Sequence, residues 1–271
     1  MKKILTTKKI RKNKVHRGYK PLQMLTCYDY QNACMLDNTE LDLILVGDSL
    51  GNVILGYDTT VEVSIEEMTV FASAVKRGAK NTFVVGDLPF GTYSTLETAL
   101  KNSIHLFQKS KVEALKLEGA HPHQLEIIQR LTQTGIPIMG HIGLTPQSVH
   151  QLGGYYVHGK KSKTAEALKK QAHALEEAGC FAIVLECVEA NLSEEITKDL
   201  SIPTIGIGSG TTTDGQVLVL NDLLHLGPLA PPSFCKPITN LYQVKKNYID
   251  QYLSEQKSLP SSLNEAEVTL H

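Results

Sequence analysis

Five side chains able to do chemistry stand directly after short apolar runs. They are Asp48 in VGDS, Asp87 in GDLP, Glu118 in KLEG, His141 in MGHI and Glu186 in LECV. One carboxylate in such a place is commonly a loop cap, but ionisable groups after five successive runs call for a shared site. Three carboxylates brought together repel and raise one another's pKa unless a cation neutralises them. Asp48, Asp87 and Glu118 offer hard oxygen donors, without His or Cys neighbours suited to zinc. Such a set favours Mg2+, with Mn2+ as a substitute, and leaves positions for water and substrate.

Lys116 precedes Glu118 by two residues, so on a strand both side chains leave the same face. An ammonium beside a metal makes sense where a substrate carboxylate lies between them; the other reading is a salt bridge to Glu118 alone. Ser49, next to Asp48, is placed to donate a hydrogen bond to the same anion. Glu186 closes a strongly apolar run, residues 181–185. A carboxylate held there without a cation has a raised pKa and suits a general base; the competing role is an outer-sphere metal ligand. His141 is open to three roles: proton shuttle, substrate donor, or core histidine with its hydrogen bonds satisfied. The glycine-rich turn at 206–210 is of a kind that binds phosphate in many barrels, although glycines also let backbones pack closely.

The elements that position these groups follow from the pattern between them. Runs rich in Val, Ile and Leu recur at residues 22–27, 43–46, 83–85, 114–117, 136–139, 183–185, 202–207 and 217–220. Their near-continuous hydrophobicity marks strands buried on both faces. Helical period fills the intervals: 65–79 with Ser64 and Glu67 as a capping box, 96–109, 124–133, 165–178, and 194–200 with Ser193 as its cap. Alternation of this kind predicts βα units closing into a single (β/α)8 TIM barrel; a doubly wound sheet would want an early GxGxxG, which is missing. In such a barrel all strand C-termini open on one mouth. Residues 1–256 read as one domain, the barrel with an N-terminal helix and a C-terminal helix at 240–256, and 257–271 as a flexible polar tail.

Composition bounds the partners. A net charge of −1 gives no reason to expect nucleic acid or an anionic membrane, and no apolar run approaches the ~18 residues of a membrane span. Five cysteines, an odd number without a CxxC pair, suggest neither a disulfide framework nor a zinc knuckle and point to a reducing, cytoplasmic setting. No acid precedes Asp29, while Lys and Arg crowd the same stretch, which is read as a solvated N-terminal helix rather than a removable address.

The stretches MLTCYD (24–29), VGDSLGN (46–52), DLPFG (87–91), KLEG (116–119), MGHIGLTPQ (139–147), LECV (185–188), IGIGSG (205–210) and TDGQ (213–216) occur in this order. Together they resemble the ketopantoate hydroxymethyltransferase family, and the length of GDSLGN and GHxGLTPQ makes the resemblance specific. It implies a (β/α)8 barrel that moves a one-carbon unit from the co-substrate 5,10-methylenetetrahydrofolate to 3-methyl-2-oxobutanoate. The product, 2-dehydropantoate, leads to pantothenate and coenzyme A, and the route implied is a Mg-stabilised enolate with one Mg2+ per subunit. Carried over by position, Asp48, Asp87 and Glu118 match metal-site residues, Ser49 and Lys116 substrate-carboxylate contacts, and Glu186 the base. His141 falls on a further active-site position and, with Asp48 and Asp87, is expected to bind substrate. A homo-oligomer, a homodecamer, is implied as well.

Two departures stand out. The family tends to show VQGR where this chain reads VHGK at 157–160, and Ala where Ser209 stands. Lys160, Lys161 and Lys163 keep positive charge for a folate glutamate tail, or form a solvated surface. Among rivals, a barrel of the phosphoenolpyruvate mutase/isocitrate lyase kind would place a cysteine-bearing loop near the metal, which is not found. A non-catalytic barrel would need neither Glu186 nor Lys116.

Overall fold

The computed structural model describes residues 4–154 and 156–258. The apolar runs form strands β1 (Leu22–Thr26), β2 (Leu43–Val46), β3 (Phe83–Asp87), β4 (Ala114–Glu118), β5 (Ile138–Gly143), β6 (Ala182–Glu186), β7 (Thr204–Ile207) and β8 (Gly215–Leu218). Each pairs in parallel with the next, and β8 returns to β1 from Leu22↔Gly215 to Leu25↔Leu218, closing the expected (β/α)8 barrel. Every residue of β2, β3 and β4 is buried, which is why those runs show no polar alternation.

The helices are α1 (Thr7–Arg11), α2 (Tyr30–Asp37), α3 (Ile65–Gly78), α4 (Leu96–Ser110), α5 (Pro122–Gln133), α6 (Val149–Leu152), α7 (Ser162–Glu177), α8 (Ala190–Asp199), α9 (Leu220–Leu223) and α10 (Leu241–Ser258). Ser64 caps α3 by accepting from the Glu67 N–H, and Glu67 accepts from the Ser64 N–H, a box worth about 1 kcal/mol. α8 departs from expectation. It begins at Ala190 because the Glu189 carboxylate accepts from the Leu192 N–H at 2.9 Å, and Ser193 is buried inside the helix rather than capping it.

The N-terminal segment also differs from a solvated helix. α1 is short, and its Ile10 joins the core cluster that fills the barrel. Lys14 is 0% exposed: its ammonium donates to Thr197 O (2.5 Å), Ile202 O (3.1 Å) and Asp214 Oδ2 (2.7 Å). Asp214 accepts in turn from the Val15 N–H and Thr204 N–H. Three acceptors, Thr197 O in α8 with Ile202 O and Asp214 Oδ2 just before β7 and β8, make burial of this charge tolerable where the flanking lysines stay in water.

The chain divides into two compact units at Leu220/Asn221. In the second, residues 221–258, the proline-rich stretch doubles back so that the Ile238 and Leu241 N–H groups donate to Leu223 O and Leu224 O, and α10 follows. α10 runs through Ser258, two residues into the stretch expected as a tail; residues 259–271 lie outside those described. Among the described residues no helix is long and apolar enough to cross a membrane, and all five cysteines are free.

Candidate active site

Strand alternation delivers the site. Phe83 and Val85 in β3, Ala114 in β4, Met139 in β5 and Ala182 and Val184 in β6 all belong to the barrel core. Two residues further along the same faces stand Asp87, Lys116 with Glu118, His141 and Glu186. Strand register sets Asp87 beside Lys116 and Glu118 beside His141. Asp48 joins them from the turn after β2.

Asp48, Asp87 and Glu118 are buried and bring carboxylate oxygens within 4.8 Å of one another. Each has one oxygen tied to a protein donor. Asp48 Oδ2 accepts from Gln147 Nε2 at 2.9 Å, Glu118 Oε2 from the Gln147 N–H at 3.2 Å, and Asp87 Oδ2 from Lys116 Nζ. Asp87 Oδ1 and Glu118 Oε1 are buried without a hydrogen-bond partner. Buried carboxylate oxygens that converge at this spacing without hydrogen bonds of their own are what a hard divalent cation satisfies, so the donor set fits Mg2+.

The charges shape one another. Burial, then the charges of Asp87 and Glu118, push the Asp48 carboxyl up to about 8. Burial also raises Asp87, against the pull of Lys116. Glu118 moves the other way, because Lys116 and His141 together outweigh its burial. Burial works against the Lys116 ammonium, yet Asp87, Glu118 and Asp48 raise its pKa further still. Lys116 is therefore shared: bonded to Asp87 and 3.5 Å from Glu118 Oε1.

His141 stands between two carboxylates, Nδ1 3.2 Å from Glu118 Oε1 and Nε2 3.3 Å from Glu186 Oε2, although neither ring N–H lies along a hydrogen-bond line. Burial and Lys116 push the imidazole down, but Glu118 and Glu186 prevail and hold it at about 9. Glu186, its side chain 17% exposed, is thus not a carboxylate without a cation nearby. Its backbone is closely held. Gly143, at φ +99°, lets β5 pass so near that a Cβ there would lie 2.2 Å from Glu186 O. Cys187 turns away in the left-handed region at φ 49°, pinned by its N–H to Ile207 O and its carbonyl to the His158 N–H. Within the glycine-rich turn, Ser209 Oγ donates to Leu185 O (2.7 Å) and accepts from the Val188 N–H (2.9 Å), bracketing Glu186. Ser49 shares a 2.7 Å hydrogen bond with Tyr28.

Three residues at the site were not anticipated: Gln147, Tyr93 and the side chain of His158. Gln147 closes the MGHIGLTPQ stretch, its only sequence signal. Tyr93 had none. His158 stacks on Tyr156 with ring centroids 4.3 Å apart, and burial lowers its pKa although Glu186 pulls it up. Lys160, Lys161 and Lys163 are exposed.

A family model described as ketopantoate hydroxymethyltransferase matches residues 4–261. The chain belongs to that family. It is 44% identical over 245 residues to a 3-methyl-2-oxobutanoate hydroxymethyltransferase of Coxiella burnetii (strain CbuK_Q154), covering 90% of this chain and 92% of the relative. Identity to the protein of that name from Bacillus cereus (strain G9842) is 48% over 239 residues, covering 88% and 86%. Among solved structures, a phosphonopyruvate hydrolase complex with oxalate and Mg++ matches with a TM-score of 0.62 over 98% of this chain and 93% of that one, at 8% identity. A 2,3-dimethylmalate lyase of the PEP mutase/isocitrate lyase superfamily gives 0.60 over 96% and 92%, at 13%. At such identities the likeness is one of fold.

Proposed function

We propose that this chain transfers a one-carbon unit from 5,10-methylenetetrahydrofolate to 3-methyl-2-oxobutanoate, giving 2-dehydropantoate for pantothenate and coenzyme A synthesis. The observation that carries the proposal is a buried tricarboxylate with an equally buried ammonium, Lys116, on the same mouth as the partly exposed Glu186. The names of the relatives support the substrate. Asp48, Asp87 and Glu118 would hold one Mg2+ per subunit, which when bound supplies Lewis acidity to the carboxylate and keto oxygens of a 2-oxo acid.

The chain's own groups do the rest. Lys116 and Ser49 neutralise and orient the substrate carboxylate, with Asp48, Asp87 and His141 lining the same pocket. Glu186 removes the proton from C3. The folate methylene gives up both of its C–N bonds: the electron pair left at C3 replaces one with the new C–C bond, and water replaces the other with the C–O bond of the product's hydroxyl, while the two folate nitrogens keep the bonding pairs and take up the C3 proton and one proton of the water. His141, its Nε2 3.3 Å from Glu186, steadies Glu186 in the orientation that faces the substrate.

With Mg2+ and no folate, the protein is expected to exchange the C3 proton of 3-methyl-2-oxobutanoate for deuterium, followed by NMR. Glu186→Gln abolishes exchange while keeping Mg2+ binding; loss of the metal instead would make Glu186 a ligand. An intact Mg2+-loaded protein giving neither exchange nor 2-dehydropantoate overturns the proposal. The same reading extends to a cytoplasmic homodecamer acting on small molecules.

A further inference from the structure

Gln147 lies in the short 3-10 turn Pro146–Ser148 after β5 and is 5% exposed. It reaches three other strand ends. Its backbone N–H donates to Glu118 Oε2 after β4 at 3.2 Å, and its Nε2 donates to Asp48 Oδ2 after β2 at 2.9 Å and to Leu88 O after β3 at 3.0 Å. Its Oε1 accepts from the hydroxyl of Tyr93, 9% exposed, in the loop between β3 and α4. Every polar part of the amide is therefore used. Rotating it by half a turn would set Oε1 against two acceptors, so Asp48 Oδ2 and Leu88 O decide which way the amide faces, and the Tyr93 hydroxyl holds it there by donating to Oε1.

We propose that Tyr93 and Gln147 are positioning residues for the cation site: Tyr93 holds the Gln147 amide in place, and Gln147 ties back one oxygen each of Asp48 and Glu118. The remaining oxygens are then left to face the cation. This rests on the metal reading above. The pattern of bonded and orphaned atoms supports it. The oxygens that Gln147 holds, Asp48 Oδ2 and Glu118 Oε2, are hydrogen-bonded, whereas Glu118 Oε1, on the same carboxylate, has no hydrogen bond and meets only the charges of His141 Nδ1 at 3.2 Å and Lys116 Nζ at 3.5 Å. One residue thus holds two carboxylates from different strand ends, Asp48 through its side-chain amide and Glu118 through its backbone N–H, a coupling that neither ligand's own strand supplies. Hydrogen bonds of this outer kind typically carry about 10–100-fold in metal affinity.

Mn2+ binding to the chelator-treated protein tests this without substrate, read by calorimetry for affinity and by electron paramagnetic resonance for the symmetry of the bound ion. Tyr93→Phe removes one oxygen and keeps the ring, so the fold and thermal midpoint hold while Mn2+ affinity falls about 10-fold. Gln147→Met, which fills the same space without donors, weakens binding toward about 100-fold and changes the resonance line shape. Should Gln147→Met fail to fold, Tyr93→Phe decides alone. Wild-type affinity and line shape in a folded Tyr93→Phe overturn the positioning role. A wild-type chain that binds no Mn2+ overturns the metal reading, and this inference with it.

Discussion

In the metal-free protein the Asp48 carboxyl is held near 8 by burial and then by Asp87 and Glu118, so at neutral pH it carries a proton that an incoming cation must displace. Below about pH 8 each cation bound releases that proton, and apparent affinity falls by up to about tenfold per pH unit. Above it the carboxylate is already bare and affinity levels off. Calorimetry from pH 6 to 9, in buffers of differing ionisation enthalpy, counts the proton; affinity flat across that window would show that Asp48 is already ionised when the cation arrives. Asp87→Asn should weaken Mg2+ binding, and unchanged affinity would exclude it from the ligand set. Ser209→Ala leaves Leu185 O and the Val188 N–H without their side-chain partner, at about 1–2 kcal/mol in urea unfolding; no loss would show that solvent replaces the hydroxyl. Asp87, Lys116, Glu118, His141 and Glu186 were legible in the sequence because strand period fixes which side chains turn inward, and Asp48 because it stands just after the apolar run of β2. Gln147 and Tyr93 were not, since each sits in an irregular segment where no period says which way a side chain points.

At the scale of elements, strands announced themselves by apolar runs and α3 by its capping box, because those signals are local. Ends decided by competition were less legible. Ser193 has the right residue type for a cap, but Glu189 reaches the first free N–H groups sooner and takes the role. The basic N-terminal stretch misleads in the same way: composition describes Lys14 as one of many solvated lysines, and only the carbonyls of Thr197 and Ile202 and the carboxylate of Asp214 single it out. Lys14→Met leaves Asp214 buried without its cation, which should cost about 3–5 kcal/mol in urea unfolding. Because that pair lies at the strand ends opposite the site, kcat of the folded fraction should hold. A cost under about 1 kcal/mol would show that the N-terminal segment does not secure the barrel floor.

For the whole molecule, light scattering should return ten times the 29.8 kDa chain mass, and a monomer would overturn the homodecamer. Closure of the barrel could be inferred only from the succession of βα units, since no local signal states that β8 meets β1. The pair Lys14–Asp214, 200 residues apart in sequence, fastens that same closure from below. During synthesis at about 5–20 residues per second, Lys14 waits roughly ten to forty seconds for its partner to be made. Throughout that interval β1 has one unpaired edge and an open floor, the state in which a nascent chain is most exposed to mispairing. The barrel can close only once β8 has been made and can return to β1.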